Sequence, residues 1–150
     1  MSIALESAAA EIEAHVGAAG WDQHPALFAL VRSARFATDE PETAARLGIA
    51  DALGDALVPI EQDALPDEPL DEALAGIQWP EAVEGCALAQ EIIFASSLDD
   101  PDRREARLVV AVQRDGSSAS LLRLRDQPDD LLTGSELAPN LVQALLATLR

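Results

Sequence analysis

Two short apolar runs separated by a polar turn dominate the hydrophobic pattern of the chain. Residues 106–113 read Ala-Arg-Leu-Val-Val-Ala-Val-Gln, Arg114-Asp115-Gly116-Ser117 follows, and residues 118–125 read Ser-Ala-Ser-Leu-Leu-Arg-Leu-Arg. Asp-Gly between two such runs signals a hairpin, because a two-residue type I′ turn needs positive φ at both central positions and Asp and Gly tolerate it. Counting outward from Asp115-Gly116 predicts the pairs Val112/Ala119, Val110/Leu121, Leu108/Arg123 and Ala106/Arg125 on one face. The other face then carries Gln113/Ser118, Ala111/Ser120, Val109/Leu122 and Arg107/Leu124. Both faces are apolar at their centres, which predicts a sheet covered on both sides. A lone hairpin would be marginal, so the rest of the chain has to supply further strands and a helical layer.

Outside the hairpin the pattern alternates between helical and extended periods. Leu5, Ala9, Ile12 and Val16 recur at helical spacing and predict a helix over residues 2–18, ended by the Gly17–Gly20 segment. Ala26 to Val31 is apolar on both faces and predicts an interior strand that begins after Pro25. Asp39-Glu40-Pro41 before Ala44, Ala45, Leu47 and Gly48 reads as a short helix with an acidic first turn. Residues 49–55 form an irregular connection. Ala56 to Gln62 is a strand whose Pro59 lacks an N–H, which places it at an edge or a bulge. Residues 65–69 are a loop, and residues 71–77 a short helix that Trp79-Pro80 closes. Gly85 to Phe94 is another strand, with Gln90 and Glu91 interrupting its apolar faces. Residues 96–104 read as a mobile polar loop, residues 126–133 as an acidic turn, and Pro139 opens a last helix with Leu141, Val142, Leu145, Leu146 and Leu149 as its stripe. The whole predicts one α+β domain over residues 1–150: a mainly antiparallel sheet of about five strands with the N- and C-terminal helices packed on it.

Composition narrows the partners. The chain has 150 residues, 49% of them hydrophobic, enough for one domain with a substantial core. Its aromatic residues are few, so Trp21, Phe28, Phe36, Trp79 and Phe94 are expected where layers meet. The formal charge is −17, and lysine is absent. Residues 1–102 hold 21 acids against three arginines, whereas residues 103–150 hold six acids against seven arginines. Such a surface repels nucleic acid and anionic membrane, which leaves only the remote role of an acidic DNA mimic. One cysteine, no basic leader and no long apolar run point to a cytoplasmic chain that does not enter a membrane.

Catalytic or metal chemistry is not announced. The chain lacks a phosphate-binding glycine loop, a Cys-x-x-Cys and a histidine pair at metal spacing, so no cofactor and no metal are expected. Cys86 with His15 or His24 as base could form a nucleophilic pair, although a buried structural thiol is the plainer reading. The acids Asp99, Asp100 and Asp102, or Asp63, Asp67 and Glu68, read as solvated loops rather than cation sites. Trp21-Asp22-Gln23 and Trp79 either staple the sheet or anchor a partner. Arg107, Arg123 and Arg125 interrupt apolar strands and need partners, expected among the acids of residues 61–72 or 126–130; an anion or partner would be the functional counterpart.

Gly20-Trp21-Asp22-Gln23 through Leu27-Phe28-Ala29-Leu30-Val31, then Pro59-Ile60-Glu61-Gln62, Trp79-Pro80, Gly85-Cys86-Ala87-Leu88, Arg114-Asp115-Gly116, Leu122-Arg123-Leu124-Arg125 and Leu131-Leu132-Thr133-Gly134 together resemble a small actinobacterial family known by a propionibacterial locus-tag name. The resemblance spans nearly the whole chain, with two departures: a shorter loop between Phe94 and Arg103, and His24 in place of a proline. It implies a bacterial cytoplasmic protein and transfers no catalytic residue. The layout is also similar to secretion-chaperone folds, acidic dimeric protein binders, an analogy of fold only. The expectation is therefore a non-enzymatic module that binds a protein, with Trp21, Asp22, Gln23, Trp79, Arg107, Arg123 and Arg125 as contact candidates and a homodimer through the sheet or last helix as one form. The alternative is a small-molecule binder or hydrolase with a pocket near Trp21, Trp79 and Cys86.

Overall fold

The computed structural model describes residues 3–32, 42, 57–62, 69–94, 104–125, 127–134 and 138–149. Its elements are α1 (Ile3–Ala18), β1 (Ala26–Arg32), β2 (Leu57–Glu61), α2 (Leu70–Ala75), β3 (Gly85–Phe94), β4 (Arg104–Gln113), β5 (Ser118–Leu124), β6 (Gln127–Gly134) and α3 (Pro139–Thr148). Six strands form one sheet in the order β2-β1-β3-β4-β5-β6, and every neighbouring pair is antiparallel. The α+β expectation holds. The expected helix at 39–48 lies outside the described residues except for Glu42, as do the connection at 49–55 and the loops at 65–68 and 96–103.

The sheet is covered on both faces, and the two coats differ in grain. Beneath α1 the strands present Ala87, Ala89, Ala111 and Ala119 beside Phe28, Leu30, Val109 and Leu121. Those small side chains let the helix sink toward the backbone, where Leu5, Ala8, Ala9 and Ile12 are buried. The opposite face carries Leu88, Leu108, Val110, Val112, Leu122 and Leu124, which pack on Leu74 of α2 and on Val142, Leu145 and Leu149 at and just beyond α3. Full burial of each Leu or Ile contributes about 1.5–3 kcal/mol, so both coats are needed to hold the sheet. Pro59 lies in β2, an outer strand, where its missing N–H is tolerated. Pro139 stands in the first turn of α3, where its missing N–H would have had no helical partner.

Two expectations need correction. The acidic stretch 126–133 is not a turn: residues 127–134 form β6, the outer strand next to β5. The hairpin exists, but its register differs by one residue. Val112 faces Ser118, Ala111 faces Ala119, Val109 faces Leu121 and Arg107 faces Arg123. The reason lies in the turn. The Gly116 N–H donates to the Gln113 carbonyl at 2.9 Å and the Gln113 N–H to the Ser117 carbonyl at 3.0 Å, so three residues, not two, make the loop. Gly116 alone takes positive φ, at 93°, while the Asp115 carboxylate accepts the Ser117 N–H at 2.9 Å. This is a type I turn closed by a left-handed glycine.

Gly85 starts β3 where β4 passes closest. A methyl group there would lie 2.2 Å from the Val112 carbonyl oxygen, a backbone atom that cannot swing aside. Gly85→Ala should therefore destabilise the fold by about 1–3 kcal/mol, read as a lower midpoint in urea, whereas Gly76→Ala, whose new methyl meets only ordinary contact at 3.9 Å, should shift the midpoint far less.

Candidate functional site

The one-residue change of register brings three arginines to one face. Arg107 and Arg123 sit directly opposite each other on β4 and β5, and Arg125, just past β5, follows on the same side. Two like charges at cross-strand positions repel unless an anion separates them. Glu13 supplies it from α1. Its Oε2 accepts from Arg107 Nη1 at 2.7 Å, and its Oε1 accepts from Arg123 Nε at 2.9 Å and lies 2.8 Å from Nη2. Glu13 and Arg107 are 4% and 3% exposed, so this is a buried ion triad with solvent only at its Arg123 side. Gly17, one turn further along α1, leaves room for it: a methyl there would lie 3.0 Å from Arg107 Nη1.

The Gly20–Gln23 segment closes over the triad. Gly20 has φ 93° and Asp22 φ 65°, which turns the chain so that Trp21 lies against the guanidiniums. Arg107 Cζ is 4.4 Å from the Trp21 ring centroid and Arg125 Cζ is 5.4 Å from it, within cation–π range. The turn is tied by several hydrogen bonds. Arg107 Nη2 donates to the Gly20 carbonyl at 3.1 Å, Gln23 Nε2 donates to the Gly20 and Val16 carbonyls, and the N–H groups of Asp22 and Gln23 donate to the Glu91 carboxylate at 3.0 and 2.8 Å. Arg125 Nη1 bridges Asp22 and Glu105 at 3.0 and 2.6 Å.

Six of the seven expected contact residues, Trp21, Asp22, Gln23, Arg107, Arg123 and Arg125, thus meet in one cluster. Among the described residues the arginines' acids are Glu13, Asp22 and Glu105; of the acids expected from residues 61–72 and 126–130, Asp63, Asp67, Glu68 and Asp126 lie outside the described residues. Glu13 was legible in principle, since it follows Ile12 and lies four residues after Ala9, inside the apolar stripe of α1. Three carboxylates, Glu13, Asp22 and Glu105, meet the three guanidiniums, Glu91 ties the backbone of the turn, and Arg107 Nε is buried without a hydrogen-bond partner. Its chemistry is that of a clasp between helix, turn and sheet.

Trp79 stands apart, on the other face. Its indole N–H donates to Thr148 Oγ1 at 3.0 Å, and Cys86 Sγ lies 3.5 Å from the same oxygen and 3.7 Å from the Leu145 carbonyl it donates to. The sheet separates both from Trp21, so the described residues bring Trp21, Trp79 and Cys86 to no common pocket. It also separates Cys86 from His15, which sits on α1 with Nε2 3.3 Å from Glu61. Burial pushes the Cys86 thiol up to about 11, the state of an inert core residue. Two shallow grooves of about 500 and 530 Å³ flank the His15–Glu61 pair, one bounded by Gln23, His24 and Gln62, the other by Phe28, Val58 and Pro59. Among the described residues no group of three or more His, Cys, Asp or Glu is placed to hold a metal ion, and no helix is long and apolar enough to cross a membrane.

Two outcomes are expected. Burial alone would raise the Glu13 pKa, but the hydrogen bonds and charges of Arg123 and Arg107 outweigh it and hold the carboxyl below its ordinary 4.5. A depressed folded pKa adds stability that is present above the unfolded value and lost as pH falls through the folded one. Glu13→Gln should thus cost about 3–5 kcal/mol near neutrality and flatten the acid limb of a stability-against-pH curve measured below the ordinary 4.5. Separately, Cys86 should react with a thiol reagent at neutral pH orders of magnitude more slowly in the native chain than in urea.

A scan of protein-family models matches residues 5–150 to the PPA1309-like protein family. No curated protein and no solved structure shows significant similarity. The match takes in α1, the clasp, all six strands and α3, and on that extent the chain belongs to the PPA1309-like family.

Proposed function

We propose that the chain is a non-enzymatic cytoplasmic module that binds a protein partner along the outer edge of β6. The observation that carries this reading is the exposure of Leu131 and Leu132, 37% and 42%, on opposite faces of an outer strand. Among the described residues neither core cluster contains one from β6. A single exposed residue such as Ile93, near the end of β3 where the strand runs past its pairing with β1, is ordinary. Adjacent leucines on a strand whose outer side no described strand pairs are less so, because an edge backbone offers donors and acceptors beside them.

The alternatives have less to rest on. The clasp has its charges matched from within, so its arginines serve the fold before any partner. The apolar stripe of α3 is spent on the chain's own core, which favours the sheet edge over the last helix as the docking surface. The cytoplasmic part of the reading rests on the lone buried thiol of Cys86.

The test is positional. With a photo-crosslinking residue in place of Leu132, a discrete protein adduct is expected in cells of the native host, and the same residue at Glu61 on the opposite outer strand should give none. Leu131→Ser with Leu132→Ser should change stability within about 0.5 kcal/mol per site yet abolish the interaction. Equal labelling at both edges, or none at either, would defeat the reading.

A further inference from the structure

Resting on the β6 reading, we propose the chemistry of the partner: a short extended segment that adds as a strand to Leu131–Gly134, alternates apolar side chains, and carries lysine or arginine to meet the exposed Asp129 of the β6 bulge. The register defines how much of the edge can pair. Gly134, Thr133, Leu132 and Leu131 face Ser120, Leu121, Leu122 and Arg123 in regular order, but the next pair is Leu124 with Gln127. Pro128-Asp129-Asp130 therefore has no counterpart on β5 and bulges from the ladder. Pro128 also lacks an N–H. The regular edge is thus four residues long, and the bulge interrupts it at the Leu131 end.

Each feature of that short edge selects something. Alternate residues of Leu131–Gly134 turn their N–H and C=O outward, where a partner backbone can bond them. Leu131 is exposed on the α1 face and Leu132 on the α3 face, so an incoming strand meets an apolar neighbour on either side of the sheet. Asp129 is exposed beside them, and from residue 126 to residue 149 the sequence holds four acids and no lysine or arginine. A complementary segment must therefore bring positive charge. A second copy would set two such bodies edge to edge with two acidic bulges near the contact. The other outer strand, β2, is a poorer template: Pro59 interrupts its donors, and no large apolar side chain on it is exposed.

The experiment uses the intact chain and three synthetic peptides of about ten residues, alternating valine with arginine, with threonine or with glutamate. Amide shifts of the isotope-labelled chain report where each binds. The basic peptide should shift the Leu131–Gly134 amides and bind roughly tenfold more tightly than the neutral one. Asp129→Asn with Asp130→Asn should weaken it several-fold, added salt should do the same, and Leu132→Ser should remove the localised shifts. Scattered shifts, or the glutamate peptide binding as well as the arginine one, overturn the proposal. So does a concentration-dependent dimer in sedimentation that Leu132→Ser dissociates, since the edge is then taken by a second copy. Equal binding of the neutral peptide at Leu131–Gly134 removes the basic requirement and leaves protein docking at β6 standing. Absence of binding by any peptide overturns the proposed chemistry, and together with a blank crosslink at position 132 it removes the docking reading as well.

Discussion

Glu13 is the point at which the fold could most easily fail. Arg107 and Arg123 face each other across β4 and β5, and without an anion between them that register would set two cations side by side under a helix. The carboxylate from α1 turns the repulsion into a three-point bond, and in doing so fixes where the helix lies along the sheet. Buried ion pairs are weak evidence for stability, since desolvation opposes attraction. What such a triad does supply is position. A slide of α1 by one turn would take the Glu13 carboxylate away from both guanidiniums, a penalty of about 3–5 kcal/mol that opposes the slide.

The turn after α1 follows from the same constraint. Once the Arg107 guanidinium sits under the helix end, its flat face needs cover that does not compete for its donors, and an indole ring gives this. Trp21 can reach only if the chain reverses tightly, which explains positive φ at both Gly20 and Asp22. The reversal exposes two N–H groups to Glu91, whose carboxylate accepts both. Residues that read separately as a polar turn, an interrupted strand and stray arginines are therefore one arrangement, and the strain at Asp22 is held by its bonds to Glu91 and Arg125.

Much of this was visible in the sequence, and the misses have physical causes. The apolar pattern of β1, β3 and α3 is plain because each is buried on one or both sides, whereas that of α1 is diluted by its many alanines and by the buried Glu13. The hairpin was evident but its register was not. Asp-Gly suits a two-residue turn and equally the end of a three-residue one, and only tertiary packing chooses. The choice mattered, since the shorter loop would have sent Arg107 and Arg123 to opposite faces and dissolved the clasp. β6 was read as a turn because Pro128-Asp129-Asp130 has turn composition; those residues are the bulge, and the strand continues beyond them. Arg107, Arg123 and Arg125 stood out because cations in apolar strands demand explanation. Glu13 did not, being one of 27 acids. Trp79 resembled Trp21 in its setting and lies across the sheet from it, a distinction that periodicity cannot make for residues in loops.

The two outer strands show how an open sheet of this kind can stay selective. β2 is guarded along its length by Pro59 and by the absence of exposed large apolar side chains. On β6 a proline, a bulge and two acids do the guarding, but they stop at Leu131. An edge protected throughout would need no leucines beyond the bulge, and one left open throughout would template long flat strands, including copies of itself. Guarding only one half limits pairing to a segment about four residues long, as set by the regular register of Leu131–Gly134 with β5. For the docking proposed above, so short a ladder would bind weakly through backbone bonds alone, which would place the discrimination in side-chain contacts at Leu131 and Leu132 and in the charge beside them.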